Sequence, residues 1–238
     1  RKAEVPFEPG ELGKPMYLAL SGTGTTIMTA WEDGSVWRYD TRNMDAAEQA
    51  EVVNVLDAPG AKLTQMRYML GGTTLLVGDS EGNLTAWFAV RTPDEVEAKT
   101  SDRLELIKAH TMPKVDAAVV SLGFSTRSRI IAAGYNDGTY AVYQVTTGER
   151  LASTVVTPGV PVTDITVTPK DDGIVALSGD VLASYDFNPE YPEVSARSLF
   201  GRIWYEGYDA PSYTWQSMGG TDDFEPKYSL VPLIFSTV

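Results

Sequence analysis

The chain has 238 residues, 43% of them hydrophobic, enough to bury one large β domain or two small ones. Its formal net charge is −13 and its pI about 4.5, which argues against nucleic acid and anionic membrane surfaces, since both require a basic patch. There is no cysteine, so disulfides, thiolate chemistry and cysteine-ligated metals are excluded, and the single histidine, His110, cannot build a multi-histidine metal site.

Residues 1–11 are charged and punctuated by Pro and Gly, and read as a linker or the remnant of a preceding strand. Residues 16–21 form a short strand. A hairpin follows, with its turn at Asp33-Gly34 and a second arm closing on Trp37 and Tyr39. Residues 50–56 alternate polar and apolar and supply a fourth strand, completing a unit over 12–57.

The pattern then returns. The second unit, 63–108, has a strand over 63–70, a hairpin over 71–90 turning at Glu81-Gly82, and a last strand over 104–108. Between them, residues 92–103 are polar and read as a solvated loop or one helical turn, with Glu95 four residues before Lys99. The third unit, 115–157, has strands over 119–125 and 151–156 around a hairpin at 128–145, turning at Asp137-Gly138. The fourth, 162–200, is weaker, with strands expected over 162–168, 173–187 around Gly179, and 194–199.

The turn glycines Gly34, Gly82, Gly138 and Gly179 recur at intervals of 48, 56 and 41 residues. Such a period means one supersecondary unit repeated. Glycine at these turns takes positive φ without a Cβ clash. Tyr39, Trp87 and Tyr143 each fall five residues after the turn glycine, and Tyr185 falls six after Gly179, where an aromatic ring anchors stacked sheets.

This unit resembles the blade of a WD40-like β-propeller. Tyr39-Asp40, Tyr143-Gln144 and Tyr185-Asp186 stand where that family has Trp-Asp, and Ala109-His110 where it often has Gly-His. The resemblance covers residues 12–200 and implies an all-β fold of four four-stranded blades, as a four-bladed ring or an incomplete or open one. An open arc is expected to self-associate through its terminal blades. His110 is expected to make a blade-linking hydrogen bond. No nucleophile or acid stands beside it in the sequence, and no catalytic, cofactor-binding or metal-binding residue is assigned. The pairs Asp171-Asp172 and Asp222-Asp223 read as solvated turns rather than Ca²⁺ ligands.

From residue 201 to 238 the composition changes. Trp204, Tyr205, Tyr208, Tyr213, Trp215, Phe224 and Tyr228 crowd a segment without the blade pattern. It reads as a wrap over the domain, an aromatic belt near a membrane interface, or a sugar-binding surface. Tyr208-Asp209-Ala210-Pro211, followed by Phe224 and then Ser229-Leu230-Val231-Pro232-Leu233-Ile234, resembles the entry to the transmembrane core of phosphate-specific (Pst) ABC transporter permeases. That family has Gly-Thr where this chain has Ser236-Thr237.

Some members of that family carry a large domain between their first membrane helix and the core. The resemblance implies that this chain is such a domain, facing the periplasm from the bacterial inner membrane. It would be non-catalytic and cofactor-free. Its partners would be the rest of the permease and its transporter complex, and the periplasmic phosphate-binding protein. The start without Met, the apolar end and the lack of any run of about 20 apolar residues fit the expectation of a soluble fragment excised from a longer protein. A free-standing propeller scaffold is the alternative, and a propeller enzyme a lesser one.

Overall fold

The computed structural model describes residue 4 and residues 7–217 and 225–236. Four consecutive antiparallel meanders make four blades. Blade 1 is β1 (Tyr17–Leu20), β2 (Thr26–Ala30), β3 (Ser35–Asp40) and β4 (Glu48–Asn54). Blade 2 is β5 (Leu63–Tyr68), β6 (Leu75–Asp79), β7 (Leu84–Arg91) and β8 (Leu104–Thr111). Blade 3 is β9 (Val119–Phe124), β10 (Ile130–Tyr135), β11 (Thr139–Gln144) and β12 (Glu149–Val155). Blade 4 has three strands, β13 (Val162–Val167), β14 (Gly173–Ser178) and β15 (Val181–Asp186).

The fourth strand expected over 194–199 does not form. That stretch enters a short helix, α1 (Ala196–Phe200). Ser195 starts it with a reciprocal cap: its Oγ accepts from the Ser198 amide at 3.1 Å, and its own amide donates to Ser198 Oγ at 2.8 Å. These local bonds win over sheet pairing, and the outer edge of β15 has no strand beside it among the described residues. The 92–103 segment is irregular, and Lys99 pairs with Glu105 at 2.9 Å rather than with Glu95.

The inner strands β1, β5, β9 and β13 lie side by side, and each neighbouring pair of blades encloses one apolar cluster. Met28, Ala30 and Val36 of blade 1 meet Leu63, Met66, Leu75 and Trp87 of blade 2. Leu76 and Leu84 of blade 2 meet Val119, Leu122, Ile131 and Tyr143 of blade 3. Ile130, Ala132 and Tyr140 of blade 3 meet Val162, Ile165 and Ile174 of blade 4. The ring is not closed.

Two sequence devices set this spacing. In blades 1 to 3 the third and fourth strands slip by one residue immediately before Tyr39, Trp87 and Tyr143. Such a bulge adds twist and re-aims the side chain, Trp87 and Tyr143 into interblade clusters and Tyr39 onto the outer face of blade 1. In blades 1 to 3 the turn glycines sit against the chain that leads to the next blade. A Cβ on Gly82 would stand 1.7 Å from the Val115 carbonyl oxygen, and one on Gly138 1.8 Å from that of Thr157, with φ at 81° and 89°. Only glycine allows both that backbone and that approach.

Candidate functional site

The expected turn residues fold as turns. Asp33 Oδ1 accepts from the Ser35 amide at 3.0 Å and Asp137 Oδ1 from the Thr139 amide at 2.9 Å. In blade 2 this role belongs to Asp79 rather than Glu81. The buried Asp79 carboxylate accepts from the Glu81 and Asn83 amides, both at 2.9 Å, while Glu81 is exposed. These carboxylates are consumed by turn geometry and converge on no common point.

The tail wraps over blades 2 and 3. Its anchors come from rim turns of these blades and from strands β7, β8 and β11. His110, on β8, is buried, and its Nε2 lies 2.9 Å from the Trp204 carbonyl oxygen. The expected blade-to-blade bond is therefore a blade-to-tail bond. A carbonyl only accepts, so Nε2 carries the proton, and the ring is neutral with Nδ1 buried and unbonded. Burial pulls the imidazole pKa down from 6.5 to about 4, against the pull of the Trp204 bond. The Trp204 ring stands edge-on to Phe88 at 5.7 Å, and its Nε1 donates to the Tyr208 carbonyl at 2.8 Å.

Glu206 is the second anchor. It accepts from the hydroxyls of Thr73 and Thr74, on the first turn of blade 2, and pairs with Arg129 of blade 3 at 2.6 Å. Burial raises its carboxyl pKa, but these partners outweigh burial and leave it below the ordinary range. The third anchor is Glu225, which accepts from Gln144 Nε2 at 2.9 Å. Here burial dominates and pushes the carboxyl up, against bonds from Thr146 and Gln144.

Of the tail motif, Tyr208 packs at a tilt against Tyr205, with rings 5.8 Å apart, and Lys227 Nζ lies over the Tyr205 ring at 5.2 Å and the Tyr208 ring at 5.7 Å. Pro211 is exposed. Trp215–Gln216 (β16) pairs with Lys227–Tyr228 (β17) in a small hairpin. The amide of Ser229 donates to the Thr214 carbonyl at 3.0 Å, and that of Leu230 to the Leu199 carbonyl at 2.9 Å. Pro232 lies in the first turn of α2 (Val231–Phe235), where its missing N–H is not needed. Phe224, Asp222-Asp223 and Thr237 lie outside the described residues.

Two cavities stand out. One of about 210 Å³ lies where the tail meets blades 2 and 3, lined by Thr73, Arg127, Arg129, Gln144, Glu206 and Glu225 among others. Two of its carboxylates, Glu206 and Glu225, already bond protein groups. The other, of about 300 Å³, is an apolar cleft on the outer face of blade 1, lined by Phe7, Pro15, Leu18, Ile27, Thr29 and Tyr39. Among the described residues, no group of three or more His, Asp or Glu is placed to hold a metal ion. No helix among them is long and apolar enough to cross a membrane.

One feature with no sequence cue joins blades 1 and 2. Arg38, on β3, is fully buried and grips Asp102 of blade 2 with both terminal nitrogens, at 2.5 and 2.9 Å. Its Nε donates to Glu51 at 2.8 Å. Burial raises the Asp102 carboxyl pKa, but the bonds from Arg38 and the Leu104 amide outweigh it and hold the group below its ordinary range. These residues lie far apart in sequence, and a lone arginine in a strand gives no hint of burial.

No family model matches the chain, and no curated protein does. Solved structures do. The β-propeller domain of Myceliophteria thermophila Cps50 (Swd1) is 15% identical, with a TM-score of 0.56, over 72% of this chain and 50% of that one. This chain thus spans about half the length of that propeller domain. The computationally designed Ika4 protein is 16% identical, with a TM-score of 0.57, over 79% of this chain and 100% of that one. At these identities the likeness gives the fold, a WD40-like β-propeller with an open ring.

Proposed function

We propose that this domain is a non-catalytic docking module, carried on the extracytoplasmic side of a Pst-type phosphate permease, where it receives the phosphate-binding protein or another envelope partner. The observation that carries the docking role is the run of four blades, whose turns and loops line two rims. Strand meanders set these loops at the two ends of each blade, a form suited to binding proteins rather than to converging reactive groups.

The permease setting is supported by the tail motif, from Tyr208-Asp209-Ala210-Pro211 to Ser229-Leu230-Val231-Pro232-Leu233-Ile234. It is also supported by the form of that tail. Leu230 is tied to Leu199, and beyond it Leu233, Ile234 and Phe235 are exposed. An apolar turn held at the end of an anchored strap is a natural approach to a lipid-embedded segment.

The deciding experiment deletes residues 12–200 from the intact permease. Loss of binding-protein association, phosphate uptake or its regulation is expected. Unchanged association, uptake and regulation would overturn the reading. A free-standing scaffold is the second reading, favoured if the domain captures a protein partner and no membrane spans follow it in its gene.

A further inference from the structure

The strand pairings place the four blades in one register, so each position in one blade has a counterpart in the others. On the first strand, Leu18 pairs with Thr29, as Met66 pairs with Val77, Leu122 with Ala133 and Ile165 with Ala176. Met66, Leu122 and Ile165 are buried, each in the cluster shared with the preceding blade. Blade 1 has no preceding blade, and Leu18 is 75% exposed. Met16 and Leu20, on the same side of that strand, are exposed as well.

The opposite face behaves in the same way. Val36 pairs with Ala30, Leu84 with Gly78, Tyr140 with Gly134 and Leu182 with Leu177. Val36, Leu84 and Tyr140 are buried in the cluster shared with the following blade. Blade 4 has no following blade, and Leu182 is 73% exposed, with its pairing partner Leu177 exposed beside it. Blade 1 thus exposes Leu18 and Leu20 on its preceding face, beside the cleft where Phe7 packs, and blade 4 exposes Leu177 and Leu182 on its following face. These are the two complementary halves of the contact it already makes three times internally.

We propose that two copies of this domain pack blade 4 of each against blade 1 of the other, closing a single ring from two arcs. The second copy is the occupant these faces specify, because one chain carries both halves of the contact, and a head-to-tail contact repeated twice closes without leaving a free face. The size agrees, since one chain spans 50% of a solved propeller domain. The exposed leucines on these two faces are otherwise left in water at a cost. Each copy carries −13, so long-range repulsion opposes the pairing and salt strengthens it.

The test uses the absence of native cysteine. Leu18→Cys and Leu182→Cys chains are prepared separately, checked for wild-type circular dichroism, mixed, and treated with a short bis-maleimide. A covalent dimer in the mixture, with neither variant cross-linking alone, is expected. Wild-type chain at tens of micromolar should sediment as a dimer, more completely at 0.5 M than at 0.05 M salt, and Leu18→Asp should sediment as a monomer. A monomer without cross-linking would overturn the proposal, leaving these faces to further blades or another protein. Cross-linking of Leu18→Cys with itself would overturn the head-to-tail arrangement.

Discussion

His110 is neutral, buried and the lone histidine of the chain, so acid should act on it in a measurable and isolable way. Its folded-state pKa is about 4, against 6.5 when solvated. Between these values the unfolded chain takes up a proton that the folded chain refuses. Stability is therefore unaffected above pH 6.5 and falls as the pH drops toward 4. Each pH unit in that window is worth about 1.4 kcal/mol. The loss is about 2 kcal/mol by pH 5 and about 3 kcal/mol by pH 4. His110→Gln keeps a donor for the Trp204 carbonyl but cannot titrate. Urea unfolding of both proteins at pH 7, 6 and 5 gives the difference, in which the carboxylates cancel. The wild type should lose about 2 kcal/mol more than the variant. The single imidazole proton signal should hold its neutral position down to pH 5. A flat difference, or an imidazole titrating near 6.5 in the folded protein, would refute the burial argument.

Other outcomes follow from the same geometry. Asp102→Asn strips the buried Arg38 of its bidentate partner and should cost about 3 kcal/mol in chemical denaturation, whereas Arg38→Met with Asp102→Leu should recover much of it. Gly138→Ala forces a side chain into the Thr157 carbonyl at positive φ and should lower stability by at least about 2 kcal/mol, while the same change at Gly60, with open space around it, should do much less. Glu206→Gln weakens the strap across Arg129, Thr73 and Thr74, and limited proteolysis should cut the tail faster with the blades intact. The Glu206 carboxyl lies below its ordinary value, so its contribution is present above the usual carboxylate range and lost as the pH falls through its folded value.

The blade pattern was legible because its determinants are local. A glycine turn, an aromatic five residues on and alternating strands lie within about fifty residues, and they placed the inner strands of all four blades within a few residues. In blade 2 the Glu81-Gly82 turn forms as expected, but the carboxylate that holds it is Asp79, two residues upstream. The outer strand of blade 4 was misread because alternation in 194–199 looks like a strand until the Ser195 and Ser198 hydroxyls cap a helix. The Arg38–Asp102 clamp and the Glu206 and Glu225 anchors join residues tens of positions apart, and no local pattern announces them. His110 was rightly given a structural bond, but its partner lies in the tail.

The single-file order of the blades has a consequence for how the molecule comes apart. Each blade leans only on its sequence neighbours, so the domain behaves as a short one-dimensional array whose ends fray first. Blades 2 and 3 are supported on both sides and strapped by the tail, whereas blade 1 has one supporting interface and blade 4 has one, with a strand fewer. Amide exchange in an isolated arc should therefore form a gradient, slowest in β9 and β10 and fastest in β15. Closing the ring abolishes the ends, and the gradient should flatten when the arcs join.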